Sequence, residues 1–443
     1  MLKISEGARL ALDMLCEAGY EAYCVGGCVR DMLMEREIND FDITTSATPS
    51  EMLKVFENER VLETGLKHGT ITLMHKGELV EITTYRIDGE YQDSRHPDNV
   101  VFTKKLELDL SRRDFTMNAL VYNEKEGVKD YFGGIEDIKN KVIRAIGVPQ
   151  KRFEEDALRI LRAIRFSSTL GFEIEENTKK AMVKCAPLLH KIAGERIQVE
   201  LEKLLLGKNV KNAILQCYEV LGELCPEILK MNGFDQHNKW HVYDILEHTA
   251  VAVESAPPIP HIRLAMLLHD TGKVHTFTMD ENGVGHFYGH NEKSAQIARD
   301  FLNRYKYDNF TKDAVYGLIK VHDTHTDLDR VLVKKRLNRM GQKRFLDLIK
   351  IQRADNLAQN PSLVNMEHFD KLEEMANDII NESCFSLASL KVNGSDLMKI
   401  GIPAGREIGI ILSTLLSEVI EEKVPNEREA LLKRATEILK TTT

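Results

Sequence analysis

Hydrophobic and polar positions divide the chain into two regions with different periodicity. In the first region, residues 5–18 have helical spacing, and short β-branched or apolar runs at 21–25, 41–45, 70–74 and 78–85 are typical of strands. From about Glu154 the helical period dominates almost to the end of the chain. The pattern predicts an α+β N-terminal domain, a mixed sheet with helices, followed by a long all-α remainder.

Composition adds limits to this picture. The chain has 443 residues and a net charge of −9, which argues against a protein that simply coats nucleic acid. Basic residues nevertheless recur from Arg152 to Lys184, so RNA stays open as a substrate. No apolar stretch approaches the roughly 20 residues of a membrane span, and the first residues lack a signal-peptide pattern. The seven cysteines form no C-x-x-C pair, which favours a cytoplasmic location.

A glycine pair lies between a predicted strand and a predicted helix, in the segment Gly26-Gly27-Cys28-Val29-Arg30-Asp31. Glycines allow a backbone to approach a triphosphate, and a helix N-terminus offers free N–H donors. Arg30 falls in the first helical turn, within reach of a phosphate. Taken alone, such a pair is equally typical of a plain tight turn.

Two carboxylates, Asp40 and Asp42, lie at the start of the next strand with Phe41 between them. Strand alternation turns both to one face, where a divalent cation relieves their repulsion, and oxygen ligands suit Mg²⁺. Two ions there would activate a 3′-hydroxyl and hold a triphosphate. A third carboxylate, Glu81, lies in mid-strand; it is either a further metal ligand or a solvent-facing residue. An isolated D-x-D is more typical of a solvated turn.

Further along the chain, Arg112-Arg113-Asp114-Phe115-Thr116-Met117-Asn118-Ala119 completes a characteristic order of motifs. This order resembles the class II CCA-adding enzyme and bacterial poly(A) polymerase family, within the DNA polymerase β-like nucleotidyltransferases. The resemblance continues through the segments 65–70, 85–97, 130–134, 155–166 and 194–200. It implies a nucleotidyltransferase that uses Mg²⁺, with Gly27, Arg30 and Arg113 binding the incoming nucleotide.

Base selection without a template is predicted for one helix that carries Asp156 and Arg159 three residues apart. A carboxylate accepts from the exocyclic amine of cytosine or adenine, and a guanidinium donates to the ring acceptors beside it. The resemblance implies the same pair, with Arg162 and Arg165 as further nucleotide contacts. Without the preceding motifs, a salt-bridged surface helix would be the better interpretation.

A second set of polar residues follows in the helical remainder. His248, the adjacent His269-Asp270 and Asp355 fall on separate predicted helices, a set that resembles the metal site of HD-type phosphohydrolases. His290 and His322 are further candidates for lining that site. The predicted organisation is a nucleotidyltransferase head (1–140), a helical neck with the base-reading helix (141–205), a body with an HD-like domain (206–365) and a tRNA-binding tail (366–443).

The resemblance implies addition of CCA to the 3′ end of tRNA from CTP and ATP. The loop from Arg86 to Val100 is intact, whereas CC-adding relatives have it shortened, which favours CCA or terminal A addition. An A-adding enzyme or a poly(A) polymerase stays open, as does an HD-type phosphohydrolase with its own divalent metal as a second or main activity. A non-catalytic RNA-binding scaffold is disfavoured by the intact Asp-x-Asp. The sequence does not indicate an oligomeric state.

Overall fold

The computed structural model describes residues 3–38, 40–88, 100–382 and 384–442. These residues form two compact units. The first runs to Leu229 and includes Arg304–Lys306, and the second consists of Lys230–Asn303 and the residues from Tyr307 onward. The four domains predicted from the sequence are a finer division than these two units, and their boundaries stay predictions. No helix in the described ranges is long and apolar enough to cross a membrane.

The N-terminal part of the first unit is a sheet with helices packed against it. Its elements are α1 (Glu6–Glu17), β1 (Ala22–Val25), α2 (Gly27–Leu33), β2 (Phe41–Thr45), α3 (Pro49–Val55), β3 (Arg60–Leu62), β4 (Thr70–His75), β5 (Glu78–Thr84), β6 (Arg86–Asp88), β7 (Val100–Phe102), α4 (Leu106–Ser111), β8 (Leu120–Asn123), β9 (Gly127–Asp130) and α5 (Gly134–Lys139). Seven strands form one sheet in the order β3-β4-β5-β2-β1-β8-β9. Within it only β2 and β5 pair in parallel, so the predicted mixed sheet is confirmed.

Alternating burial explains why β2 can carry both core and site residues. Phe41 and Ile43 are buried, whereas Asp42 between them is exposed. Helix α1 packs on the buried face through Leu12 and Leu15, which lie on one side of the helix and join the same core. Burying one such leucine contributes roughly 1.5–3 kcal/mol. The core therefore fixes the strand, and the strand fixes the direction of the carboxylate.

The rest of the first unit is helical apart from one short parallel ladder. Its elements are β10 (Val142–Ile143), α6 (Pro149–Glu155), α7 (Leu158–Leu170), β11 (Glu173–Ile174), α8 (Glu176–Cys185), α9 (Gly194–Leu205), α10 (Val210–Gln216), α11 (Tyr218–Leu224) and, at the boundary with the second unit, α12 (Pro226–Met231). The prediction that Asp156 and Arg159 share one helix is wrong. Asp156 has extended backbone (φ −139°, ψ 102°) and separates α6 from α7.

The second unit is almost entirely helical, as predicted. Its elements are α13 (Ile245–Ser255), α14 (Pro260–Leu268), α15 (Lys273–Thr276), β12 (Thr278–Met279), β13 (Gly285–His286), α16 (His290–Arg304), α17 (Asn309–Ile319), α18 (Arg330–Met340), α19 (Gln342–Leu357), α20 (Met366–Glu382), α21 (Gly394–Lys399), α22 (Arg406–Ile420) and α23 (Arg428–Thr442). Helices α13, α14, α17 and α19 pack together, and α21–α23 surround a separate core that contains Leu397, Leu415 and Leu431.

Candidate nucleotidyl-transfer site and a histidine cluster

A cavity of about 600 Å³ in the first unit brings together most of the predicted site residues. Its lining includes the sheet-side residues Gly27, Arg30, Asp40, Asp42 and Arg113. The helical side contributes Asp156, Arg159, Arg162 and Arg165. Segments far apart in the sequence thus converge on one polar space, and of the predicted nucleotide-site residues only Glu81 lies outside its lining.

The carboxylates of the cavity lie at the beginning of β2. Asp42 pairs in register with Glu81 on the parallel strand β5, an interior strand of the sheet. Although Asp42 as a whole residue is exposed, its carboxyl group is partly desolvated inside the cavity. This burial, followed by the negative charge of Glu81, raises the pKa of Asp42, while Arg113 opposes the shift. Among the described residues, Asp40, Asp42 and Glu81 do not bring three oxygens within 4.8 Å of one another. Their oxygen donors and mutual repulsion suit a divalent cation, which would draw them together.

The glycine loop is held open by its backbone conformation. Gly26 has φ +81°, in the left-handed region that side chains disfavour, and a Cβ there would lie 3.5 Å from the Arg113 guanidinium. Behind the loop, the buried Arg30 donates from Nη1 to the Asn118 side-chain oxygen at 2.7 Å. The nitrogens Nε and Nη2 of Arg30 donate to Asp31. Arg30 is therefore oriented by protein partners before any phosphate arrives.

A buried carboxylate, Asp114, connects the sheet side of the cavity to helix α7. It accepts from Arg162 Nε at 2.8 Å and from the amide of Asn118 at 3.1 Å. Burial alone would raise the pKa of Asp114, but the charge of Arg162 and the Asn118 hydrogen bond lower it to about 2. A continuous chain of contacts thus runs from Arg30 through Asn118 and Asp114 to Arg162.

One aromatic ring organises three arginines of the cavity. The guanidinium carbons of Arg30, Arg162 and Arg165 lie 5.1, 5.5 and 4.3 Å from the centre of the Phe166 ring. Arg165 also pairs with Glu200, at 3.3 Å between Nε and Oε2. Attraction to the ring offsets part of the mutual repulsion of these three cations. The concentration of positive charge suits an incoming triphosphate.

The predicted base-reading pair lies in the cavity, but its two members have different partners. Arg196 of α9 contacts Asp156, at 3.1 Å between Nη2 and Oδ2. Arg159 donates to Glu155 Oε2 at 2.8 Å and to the carbonyl of Arg112 at 2.8 Å. The structure therefore brings the two side chains to one space without joining them to each other.

Several lining residues were not selected from the sequence: Arg112, Asp114, Asn118, Phe166, Arg196 and Lys203. Arg112, Asp114, Asn118, Phe166 and Arg196 lie inside the motifs that carried the resemblance, so their positions were visible but their roles were not. Asp109 was also missed; it is buried in α4 and accepts from Arg112, Arg113 and Thr44. A buried Asp at a helical position, three and four residues before two arginines, was the available signal.

In the second unit the residues of the predicted HD-like set come together. Asp355 Oδ1 lies 2.9 Å from His248 Nε2 and 3.2 Å from His269 Nε2. Those two nitrogens are 3.5 and 3.3 Å from Asp270 Oδ2. The other carboxylate oxygen, Asp270 Oδ1, faces His290 Nε2 at 3.6 Å and His322 Nε2 at 3.8 Å. Asp270 thus lies between two groups of donors.

All four imidazoles of this histidine cluster are held in the same way. Nδ1 of His248, His269, His290 and His322 lies 2.6–3.0 Å from a backbone carbonyl oxygen. A carbonyl only accepts, so each Nδ1 carries a proton and each Nε2 is directed into the cluster, where a metal ion would meet it. Burial lowers the pKa of His322 to about 4, which keeps that ring neutral. Burial acts in the same direction on His269, but the charge of Asp270 outweighs it and raises the pKa of His269 to about 10, so without a metal that ring is an imidazolium. This arrangement is typical of metal-binding histidines.

Close backbone packing supports the histidine cluster. A Cβ on Gly272 would lie 2.4 Å from the carbonyl oxygen of His290 and 2.7 Å from the amide nitrogen of Ser294, so only glycine fits. Lys273 places Nζ 2.7 Å from Asp270 Oδ2 and also donates to Gln236. The turn after α14 is therefore fitted tightly against the beginning of α16.

Three parts of the chain match known protein families. The poly A polymerase head domain family matches residues 22–144. The family described as "Probable RNA and SrmB- binding site of polymerase A" matches residues 171–230. The family tRNA nucleotidyltransferase domain 2 matches residues 286–435. The first match spans the sheet side of the cavity, with Asp42 and Arg113.

Two relatives align with nearly the whole chain. The CCA-adding enzyme of Limosilactobacillus fermentum is 37% identical over 98% of this chain and 97% of its own length. The CCA-adding enzyme of Latilactobacillus sakei is also 37% identical, over 96% of each chain. At this identity and coverage the likeness extends to both units.

Solved structures agree with this likeness. The Bacillus stearothermophilus CCA-adding enzyme in complex with CTP is 30% identical, covers 99% of this chain and 98% of its own, and superposes with a TM-score of 0.75. The Thermotoga maritima CCA-adding enzyme complexed with tRNA_CCA, at 23% identity, covers 98% of this chain and 94% of its own with a TM-score of 0.62, which shows the shared fold. Because the cavity and the motifs agree with these full-length likenesses, we conclude that the chain belongs to the CCA-adding enzyme family.

Proposed function

We propose that this protein adds CCA to the 3′ end of tRNA, using CTP and ATP and releasing diphosphate. The observation that carries the proposal is the single cavity in which Asp40 and Asp42 face a set of arginines. Full-length relatives and a structural neighbour that are named CCA-adding enzymes support it. Carboxylates beside arginines suit a metal-bound triphosphate, because both signs of charge have a partner there.

In this proposal Asp40 and Asp42 hold Mg²⁺, and Glu81 supports them from the neighbouring strand. Bound Mg²⁺ supplies activation of the RNA 3′-hydroxyl and neutralises charge on the triphosphate. Gly27 leaves room for the phosphates, and Arg30 and Arg113 bind them. Arg162 and Arg165 contact the nucleotide from helix α7. Asn118 and Asp114 act as positioning residues, because they hold Arg30 and Arg162 in place.

Base selection is proposed to rest on Asp156 and Arg159. The Asp156 carboxylate accepts from the exocyclic amine that cytosine and adenine share, and Arg159 donates to the neighbouring ring acceptor. Arg159 donates to Glu155 and to the carbonyl of Arg112 in this structure. Contact with a base therefore requires its guanidinium to share or exchange one of these bonds.

A direct experiment is incubation of the protein with Mg²⁺, labelled CTP and ATP, and tRNA that lacks its 3′ CCA. We expect products that end in CCA when they are sequenced. No incorporation would overturn the proposal. Incorporation of ATP alone, on tRNA that ends in CC, would identify an A-adding enzyme, and long A tails would identify a poly(A) polymerase.

The names of the relatives do not favour those two alternatives. The loop that favoured CCA or A addition over CC addition falls on residues 86–100, of which 89–99 lie outside the described ranges. The predicted tRNA-binding tail (366–443) also rests on the resemblance, and helices α20 to α23 lie there. The cytoplasmic location also stays a prediction, which the free state of the seven cysteines supports.

A second candidate function is favoured by the histidine cluster. We propose that it binds divalent metal and hydrolyses phosphate esters, as in HD-type phosphohydrolases. His248, His269 and Asp355 would hold one ion, His290 and His322 a second, with Asp270 between them. The fit rests on the four Nε2 atoms, which face Asp270 because each Nδ1 is directed at a backbone carbonyl. A bound metal would take the place of the proton that His269 Nε2 shares with the carboxylates. A metal there supplies an activated water, and Lys273 is placed to bind a phosphate oxygen.

The test measures metal content and hydrolysis together. Protein purified without chelator is expected to carry a transition metal and to hydrolyse bis(p-nitrophenyl) phosphate or a 2′,3′-cyclic nucleotide. Asp270→Asn is expected to abolish this hydrolysis and leave nucleotide incorporation intact. Absence of both metal and hydrolysis after supplementation with Mn²⁺, Ni²⁺, Zn²⁺ or Mg²⁺ would overturn this second function.

A further inference from the structure

A basic groove of about 900 Å³ crosses the second unit between helices α16, α17, α18 and α19. Six cationic side chains line it, and one carboxylate, Asp313, accompanies them. The cations are Arg299, Lys320, Lys335, Arg336, Arg339 and Arg344. The local excess of positive charge stands out, because the chain as a whole has a net charge of −9. Neither the nucleotidyl-transfer cavity nor the histidine cluster includes any of these residues.

The positive charge of the basic groove is only partly neutralised. Lys320 pairs with Glu292 at 2.9 Å, and Lys335 pairs with Glu421 at 2.7 Å. Within the described ranges, Arg299 and Arg339 have no carboxylate partner, and both side chains are exposed. Like charges that stay close together without acids cost free energy, unless an anion binds among them.

Several contacts give the basic groove a defined shape. The guanidinium of Arg299 lies 3.9 Å from the centre of the Tyr316 ring. The Arg344 side chain passes close to Gly317, where an added Cβ would lie 3.1 Å from the Arg344 guanidinium. Arg336 donates to the carbonyls of Thr324 and His325. The cations are therefore held by the fold, and they lie on elements from both sides of the groove.

We propose that the basic groove binds the phosphodiester backbone of tRNA, as a substrate contact outside the transfer cavity. This inference rests on the proposed function, which supplies the RNA. Four of the six cations are arginines, whose planar forks pair with phosphate oxygens at two points and whose faces stack on bases. An acidic peptide or an anionic membrane would also be attracted to the positive charge of the groove. A membrane surface favours exposed apolar side chains beside the cations, and the groove lining consists mainly of polar and charged residues.

The test is tRNA binding as a function of salt, using the double variant Arg299→Glu/Arg339→Glu. We expect the Kd for tRNA without CCA to rise at least roughly tenfold at about 50 mM salt, because two phosphate contacts become repulsive. The slope of log affinity against log salt is expected to fall by about two units, one for each contact. The KM for CTP should stay unchanged, since neither residue lines the transfer cavity.

A matched control is Lys239→Glu/Lys293→Glu, which reverses two exposed charges of the same unit outside the groove lining. The control should change the Kd less than about twofold. Thermal unfolding of each variant shows whether a lower tRNA affinity comes from misfolding. The milder variant Arg339→Gln removes one positive charge without introducing a negative one. Equal tRNA affinity for the groove and control variants would overturn the inference, as would displacement of tRNA by polyglutamate or anionic vesicles at equal charge concentration.

The two proposals fail separately. If the wild type binds tRNA through the groove but incorporates no nucleotide, the transfer proposal fails and the groove stands. If the wild type completes CCA ends and the double variant binds tRNA like its control, the groove proposal fails and the transfer proposal stands.

Discussion

The nucleotidyl-transfer cavity and the histidine cluster are two proposed metal sites built in opposite ways. In the cavity, Asp40 and Asp42 are exposed and lie among arginines, and within the described residues they do not form a tight cluster with Glu81, which lies outside the lining. In the histidine cluster, buried nitrogens and oxygens lie 2.9–3.8 Å apart, and each imidazole is fixed by a backbone carbonyl. The first site leaves space that a nucleotide must fill, whereas the second is preorganised. If both proposals hold, we expect one metal to arrive with its substrate and the other to reside in the protein.

The largest effect is expected from Asp42→Asn, which keeps the shape of the side chain and removes its charge. Nucleotide incorporation should fall at least roughly 1000-fold, since a metal ligand contributes several kcal/mol to the transition state. Steady-state incorporation measures this loss. Asp13→Asn, on an exposed face of α1, is the control and should keep wild-type activity. Full activity of Asp42→Asn would remove the metal role assigned to this carboxylate.

Metal removal is the next test of the comparison. After dialysis against EDTA and a return to chelator-free buffer, we expect metal to remain in the histidine cluster and none in the cavity. His269→Ala should weaken metal binding by the histidine cluster roughly 100-fold, so that less metal is retained. Added Mg²⁺ alone should restore nucleotide incorporation in this variant. Elemental mass spectrometry of the protein supplies the readout. If wild type and His269→Ala retain equally little metal, the preorganised site is not a resident metal site.

A smaller effect on rate, but a specific one, is expected from Asp156→Asn. Loss of the acceptor carboxylate should reduce discrimination of CTP and ATP against UTP and GTP by roughly 10- to 100-fold. Competition between labelled nucleotides on one tRNA measures the ratio. Arg196→Gln is expected to shift discrimination in the same direction and less strongly, because Arg196 only orients Asp156. Unchanged ratios in both variants would assign base selection elsewhere.

The smallest effect is a pH dependence of stability in the first unit. The pKa of Asp114 is lowered to about 2, so its contribution is fully present above the ordinary value of 3.8 and is lost as the pH falls toward 2. The shift corresponds to about 2 kcal/mol. Urea unfolding of wild type and Asp114→Asn should therefore differ most near neutral pH, and the difference should shrink in acid. A constant difference from pH 7 to pH 3 would contradict the assigned ion pair.

How far the sequence could predict these sites depends on how local each signal is. Strand alternation was sufficient to turn Asp40 and Asp42 to one face, with Phe41 in the core. The helix break at Asp156 was missed, because helical periodicity continues across it and only its backbone angles reveal the interruption. Arg196 was missed for another reason: its contact with Asp156 spans 40 residues, and spacing along the chain carries no information about it.

Sequence-based prediction of the histidine cluster was limited in a similar way. Its ligand types were visible from His248 to Asp355, but the carbonyl oxygens that orient the rings belong to residues of no special type, such as Met266 and Ala358. Backbone acceptors leave no trace in residue identity. Similarly, the six cations of the basic groove are spread over 46 positions between Arg299 and Arg344, and only the packing of four helices makes them neighbours.

The contacts between Arg30, Asn118, Asp114 and Arg162 have a practical consequence for redesign. An engineer who wants a new base preference would alter helix α7 and leave the phosphate end untouched. In this molecule the two ends share a pair of side chains, so a change that moves Arg162 also releases Arg30 through Asp114 and Asn118. A variant with altered base specificity should therefore also bind every nucleotide more weakly. Restoring its rate of incorporation should require a second substitution at Asn118 rather than one near the base.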